Sequence, residues 1–296
     1  MSPAPILLAL GAALALTPDP VAAPADGGAP PRTARVLTVT ARDFTFDAPD
    51  SITAGPTVVR LVNAGKELHH AWLTRLDAGH TQAEYVAALR PGAPLPAWAH
   101  EVGGPNSPAP GGTSEAVIDL APGTYVLNCV IPSPDGAPHM MKGMTRTLTV
   151  LPARGVATRT ANARPARGAA DAATVVVPAP DVTMVLNDYN YALSRPLTAG
   201  KHVLRVRNEA SQPHEVFIAR LAPGKTVREA LAWVEKMDGP PPLEPVGGTA
   251  GMARGVSNDL LLDLAPGEYG LFCFVPDAKD GRPHVAHGMV KQVTVR

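Results

Sequence analysis

The sequence is poor in aromatic residues, charge and cysteine, and each shortage removes a class of function. Aromatics make up 4% of the 296 residues and charged residues 18%, with 26 Lys and Arg against 26 Asp and Glu. A net charge of zero leaves no electrostatic footprint for nucleic acid or anionic lipid, although the stretch 154–167 is locally basic. A hydrophobic content of 45% is enough to build cores and sets disorder aside. Long apolar runs are missing as well. The run 6–16 is stopped by Thr17, Pro18, Asp19 and Pro20, short of the roughly 20 residues a membrane helix needs, and no other segment comes close. With only two cysteines, Cys129 and Cys273, a disulfide would need equivalent positions of two separately folded domains to meet within about 7 Å, and it is not expected. A G-x-S-x-G elbow, a P-loop and an H-E-x-x-H motif are all absent.

What the chain has in quantity is Pro (33) and Gly (27), as suits a loop-rich β protein. The apolar run near the N-terminus precedes an A-x-A pattern at Ala23 and Ala25, so residues 1–25 read as a secretory signal peptide, atypical in lacking Lys or Arg before the run. That implies an exported protein, periplasmic or secreted.

The strongest signal is an internal duplication. At an offset of 145, "TAG" from Thr53 returns from Thr198, Asn63 returns as Asn208, and "HHAWLTRL" from His69 answers "HEVFIARL" from His214. At an offset of 144, "DLAPGTYVLNC" from Asp119 matches "DLAPGEYGLFC" from Asp263. One extra residue between Cys273 and His284 restores the first offset, so His139 pairs with His284 and Met144 with Met289. The copies span 34–151 and 173–296, each a typical domain size, and the Ala, Arg and Pro-rich stretch 152–172 reads as an exposed linker.

Within each copy short alternating runs such as "PTVVRLVN" and "SEAVIDL" are separated by Gly and Pro turns, which predicts an all-β sandwich. One segment per copy departs from this. "TQAEYVAALR" from Thr81 and "TVREALAWVEKM" from Thr226 combine a Thr cap with Glu three residues on, predicting one inserted short helix. Gly103, Gly104, Gly247 and Gly248 read as turn residues, because no helix signal follows to make a phosphate cradle.

Taken singly, Cys129 or Cys273 is a small buried hydrophobe, Met144 and Met289 fill core gaps, and a histidine at a strand start bonds a loop carbonyl. The whole set recurring in register favours a metal. In these residues the chain resembles the cupredoxins, and in particular exported bacterial proteins with plastocyanin-like domains. The matching segments are "VNAGKELHH" and "RNEASQPHE" before the first histidine, then Cys, His and Met on one later loop. The resemblance implies two tandem Greek-key β-sandwiches. It also implies one type 1-like copper per domain, held by His69, Cys129, His139 and Met144 in the first and His214, Cys273, His284 and Met289 in the second. Nine and ten residues separate Cys from His, more than in familiar blue-copper proteins.

Two imidazoles and a thiolate with a long axial thioether suit both copper oxidation states, so electron transfer to a redox partner protein is the expected function, and catalysis is not. Asn128 and Phe272 stand directly before the cysteines, where copper oxidases and nitrite reductases place a histidine for a second copper. His70 and His287 are spare imidazoles able to substitute as ligands. Two alternatives stay open: a metal-free scaffold for a protein or ligand, and a periplasmic copper carrier using Met140, Met141, His70 and His287. The oligomeric state is not legible.

Overall fold

The computed structural model describes residues 30–90, 95–153 and 173–296. The expected signal peptide and most of the expected linker lie outside the described residues. In the first repeat the elements are β1 (Arg32–Arg42), β2 (Thr45–Asp47), β3 (Ser51–Thr53), β4 (Gly55–Asn63), β5 (Trp72–Leu76), α1 (Gln82–Ala88), β6 (Ala99–Gly103), β7 (Thr113–Leu120), β8 (Gly123–Asn128) and β9 (Thr145–Leu151). The second repeat follows with β10 (Thr174–Val177), β11 (Val182–Asn187), β12 (Asn190–Leu193), β13 (Gly200–Asn208), β14 (His214–Leu221), α2 (Val227–Lys236), β15 (Leu243–Met252), β16 (Ser257–Leu264), β17 (Gly267–Phe272) and β18 (Val290–Val295). Both helices start where the sequence places them. Thr81 and Thr226 each accept from the backbone N–H of the glutamate three residues on, whose carboxylate bonds back to the threonine N–H. Such a box satisfies donors that the first helical turn otherwise orphans.

The strands form β-sandwiches in which the chain crosses between sheets after β4 and returns before β7, the Greek-key pattern. The two sandwiches are joined edge to edge, so that each of two nine-stranded sheets runs through both repeats. One continuous core fills the space between the sheets, with Leu61, Leu73 and Leu127 from the first repeat and Val206, Ile218 and Leu271 from the second. Each helix lies outside this core over a smaller apolar cluster, Tyr85 anchoring α1 and Ala230 anchoring α2.

The join is pseudo-two-fold. In one sheet Ala116 pairs with Leu260, its own equivalent in the duplication. In the other, Asn106 N–H donates to Gly248 O and Ala250 N–H to Gly104 O, at 3.0 and 2.8 Å, a reciprocal pair related by the offset of 144. An isologous contact of this kind is what two identical subunits make about a dyad. Here the subunits are consecutive in one chain.

The four glycines read as turn residues serve this join instead. Gly103 ends β6 and Gly247 and Gly248 lie within β15, all with Gly104 at positive φ. A Cβ on Gly104 would meet Ala71 O at 2.0 Å, and one on Gly248 would meet Val216 O at 1.9 Å. The pairing register slips beside them in both repeats, after Leu73 and after Ile218, the mark of a bulge. Only glycine allows the backbone to press this closely on the chain two residues past the first histidine, at Ala71 and Val216.

Candidate metal centre

Local sequence explains how each site is assembled. Asn63 and Asn208, fully buried at the ends of β4 and β13, shape the loop that delivers the first histidine. The Asn63 amide donates to Glu67 O at 2.9 Å while its oxygen accepts from Gly65 N–H, and Asn208 does the same with Gln212 O and Ala210 N–H. Tyr125 and Tyr269 anchor the strands leading to the cysteines, each donating its hydroxyl to the carbonyl four residues back at 2.9 Å. This bond across "APGTY" and "APGEY" is a tyrosine corner, which explains that motif's recurrence. The histidine and methionine that follow the cysteine are placed by a 3-10 turn, His139–Lys142 or His284–His287, ended by Gly143 or Gly288 in the left-handed region.

These elements bring His69, Cys129 and His139 together in the first repeat and His214, Cys273 and His284 in the second, with the ligand-capable atoms of each trio within 4.8 Å of one another. All six side chains are buried. In the first trio Cys129 Sγ is 3.5 Å from His139 Nδ1, and the Nδ1 atoms of His69 and His139 stand 3.0 Å apart. In the second, Cys273 Sγ is 3.7 Å from His214 Nδ1 and 3.3 Å from His284 Nδ1. Three ligands in a trigonal plane about an ion, at typical metal–nitrogen and metal–sulfur distances, would stand about 3.5–3.8 Å apart. Met144 and Met289 are fully buried beside the trios. Each methionine carbonyl accepts from the cysteine N–H, and each methionine N–H donates to the histidine carbonyl.

The outer nitrogens are tied by acids. His69 Nε2 meets Asp43 Oδ1 at 2.9 Å, His139 Nε2 meets Glu67 Oε2 at 2.9 Å, and His214 Nε2 meets Asp188 Oδ1 at 3.2 Å. A neutral imidazole bonded to a carboxylate carries its proton on that nitrogen, which leaves Nδ1 as a bare acceptor. In the first repeat the two Nδ1 atoms face each other at 3.0 Å, with Cys129 Sγ 3.5 Å from that of His139. Two imidazole nitrogens and a thiol converging in a buried gap fit a metal ion. Burial holds His69 and His214 below the ordinary histidine range and His284 down to about 4, keeping them neutral ligands. Burial also pushes the Cys129 thiol up to about 12 and Cys273 well above its usual value, so each thiol stays protonated until a metal displaces the proton. Both cysteines are free.

The spare residues fall elsewhere. His70 is turned away from the trio and accepts from Val130 N–H at 3.0 Å. Its duplicate, Glu215, accepts from Phe274 N–H at 2.8 Å in the same way. Met140 is buried under α1, and Met141 is exposed at 67%. His287 lies outside the trio and pairs with Asp280.

The outer carboxylates and the ring beside them went unread in the sequence. Phe44 packs edge-on against His139 and Tyr189 against His284, both residues at positive φ directly after the acids Asp43 and Asp188. The visible signal was "DF" returning as "DY" at the offset of 145.

No family model matches the chain, and no curated protein matches it. Among solved structures, dithionite-reduced auracyanin from Roseiflexus castenholzii is 21% identical, covering 40% of this chain and 98% of that one with a TM-score of 0.30. Auracyanin B is 23% identical over 41% of this chain and 91% of that one, TM-score 0.29. A copper nitrite reductase from Nitrosomonas europaea is 14% identical over 88% of this chain and 93% of that one, TM-score 0.23. TM-scores this low carry no weight beside the site itself. The strand order and a buried His–Cys–His trio closing each repeat define a tandem, two-domain cupredoxin-like protein.

Proposed function

We propose that the chain is an exported electron carrier with one type 1-like copper in each repeat. The ligands are His69, Cys129, His139 and Met144 in the first and His214, Cys273, His284 and Met289 in the second. The observation that carries this reading is the pair of imidazole Nδ1 atoms 3.0 Å apart, each ring fixed by a carboxylate behind it and with a buried thiol beside them. Copper bound there would supply a one-electron couple, and a site already assembled by buried residues changes little in geometry between oxidation states.

The residues of the chain do the rest. Asp43, Glu67 and Asp188 hold the imidazole rings in orientation, which raises their basicity as ligands. Each cysteine sulfur accepts backbone N–H bonds from the residue after the first histidine and from the second residue after the cysteine, which tempers charge on a thiolate. Phe44 and Tyr189 pack edge-on against the second histidine of each trio, which is fully buried. The test is reversible cycling. Copper-loaded protein reduced with ascorbate and reoxidised should bleach and recover its charge-transfer band with copper retained. Loss of copper to a chelator on reduction would instead support a copper carrier.

A further inference from the structure

A third cluster, Asp277, Asp280 and His287, lies in the extended loop and the 3-10 turn of the second repeat, with ligand-capable atoms within 4.8 Å of one another. His287 Nε2 is 3.2 Å from Asp280 Oδ1. Ligand atoms sharing a tetrahedral zinc-type ion stand about 3.3 Å apart, so one edge of such a site already has its spacing. Asp280 and His287 reach solvent, with side chains 41% and 25% exposed, whereas Asp277 forms the buried floor.

The duplication supplies an internal control. At the aligned positions the first repeat has Ser133, Asp135 and Lys142, and Lys142 Nζ meets Asp135 Oδ2 at 2.8 Å. There the cation is covalently part of the chain. In the second repeat an imidazole replaces the ammonium and a second carboxylate replaces the serine, and among the described residues Asp277 and Asp280 form ion pairs only with histidines, Lys279 and Arg282 meeting them through backbone N–H groups. The floor is held in place by Tyr189 and Gln212, both donating to Asp277 Oδ2, and by Lys279 N–H on Oδ1. His284 is fully buried, and its Nε2, without a hydrogen-bond partner, points at Asp277 Oδ2 from 3.6 Å.

We propose that Asp277, Asp280 and His287 form a further, solvent-accessible cation site that takes a divalent ion of the zinc or copper(II) class, with water in the remaining positions. One imidazole and two carboxylates suit such ions, and they need no thiolate. The site uses no cysteine, although its Asp277 lies 3.6 Å behind His284 of the second centre, and it stands whether or not that centre holds copper.

The test is a calorimetric titration of the metal-free full chain with Zn(II) at neutral pH. His287→Lys restores the pair already present in the first repeat, so it should fold normally, as circular dichroism and Tm will report, yet bind one Zn(II) fewer. Asp280→Asn should weaken that equivalent roughly tenfold or more, and the Cys129→Ser/Cys273→Ser double variant should keep it. Installing Ser133→Asp with Lys142→His should add one equivalent in the first repeat. Equal stoichiometry in wild type and a folded His287→Lys variant would overturn the proposal. So would loss of the equivalent in the double cysteine variant.

Discussion

The two repeats hold the same trio in differently charged settings, and aligning them shows what the fold requires and what it leaves free. In the first, Glu67 bonds the second histidine directly. Its counterpart Gln212 carries no charge and donates to Asp277 Oδ2 at 2.9 Å, while Tyr189 donates a hydroxyl to the same oxygen at 2.5 Å. These bonds, that from Tyr189 foremost, hold Asp277 far below the usual carboxylate range. The acid behind the second histidine has thus moved from the loop before the first histidine to the loop after the cysteine. Behind the first histidine nothing moved: Asp43 and Asp188 are equivalent. The brace beside the first histidine differs again, a neutral His70 in one repeat and Glu215 in the other. Glu215 is held in part by Asn106 of the first repeat, at 3.1 Å, so the second centre touches the inter-repeat join through an acid.

The join is the part the comparison predicts to be symmetric, so matched substitutions there should cost alike. Gly104→Ala and Gly248→Ala each drive a Cβ into a carbonyl oxygen at a positive φ, and each should lower stability by about 3 kcal/mol. Urea unfolding of the two variants checks this, and a large difference between them would break the pseudo-symmetry of the bulges.

The second prediction concerns an acid on only one side of that join. Glu101, whose duplicate is Pro245, is raised to about 7 by burial and by the nearby Glu215, itself raised to about 7 by burial. A carboxyl protonated in the folded state and ionised in the unfolded one contributes stability that is present at low pH and lost as pH rises through about 7. Raising pH from about 5 to about 8 should therefore cost wild type on the order of 2 kcal/mol more than Glu101→Gln, measured by denaturant midpoints. A parallel pH profile in the variant would show that Glu101 is ionised throughout.

The third sharpens the contrast between the centres. Carboxylates near a copper favour its oxidised form, so Glu67→Gln should raise the potential of the first centre alone and Asp277→Asn that of the second alone. Each shift should be tens of mV, against roughly 60 mV for a tenfold change in one-electron preference. Voltammetry of the variants reads it. The smallest effect belongs to Tyr189→Phe, which restores the ring found at Phe44 and removes one hydrogen bond to Asp277, for a loss of about 1 kcal/mol or less in thermal unfolding.

The sequence made the fold legible where local chemistry repeats. The Thr and Glu of each capping box predicted both helices, and the alternation in "PTVVRLVN" and "SEAVIDL" predicted the strands that became β4 and β7. The trios were legible because duplication supplied the register that a single histidine or cysteine lacks. The fusion of the sandwiches was not legible, since strand-edge pairing depends on which edges are left open in three dimensions. Gly103, Gly104, Gly247 and Gly248 carried the clue, but a glycine pair does not say whether it frees a turn or admits a neighbouring backbone. The acids behind the histidines were hidden for a related reason. Asp43 lies 26 residues from the histidine it holds, and Glu67 reaches across 72 residues to His139.

The most direct test of the central claim is copper stoichiometry with the visible spectrum, after Cu(II) incubation and desalting, on wild type and the two cysteine variants. Two coppers per chain with a strong thiolate-to-copper band, halved by Cys129→Ser or Cys273→Ser and abolished by both, is the result predicted. Colourless wild type without copper, or a double variant that keeps both coppers, would contradict it.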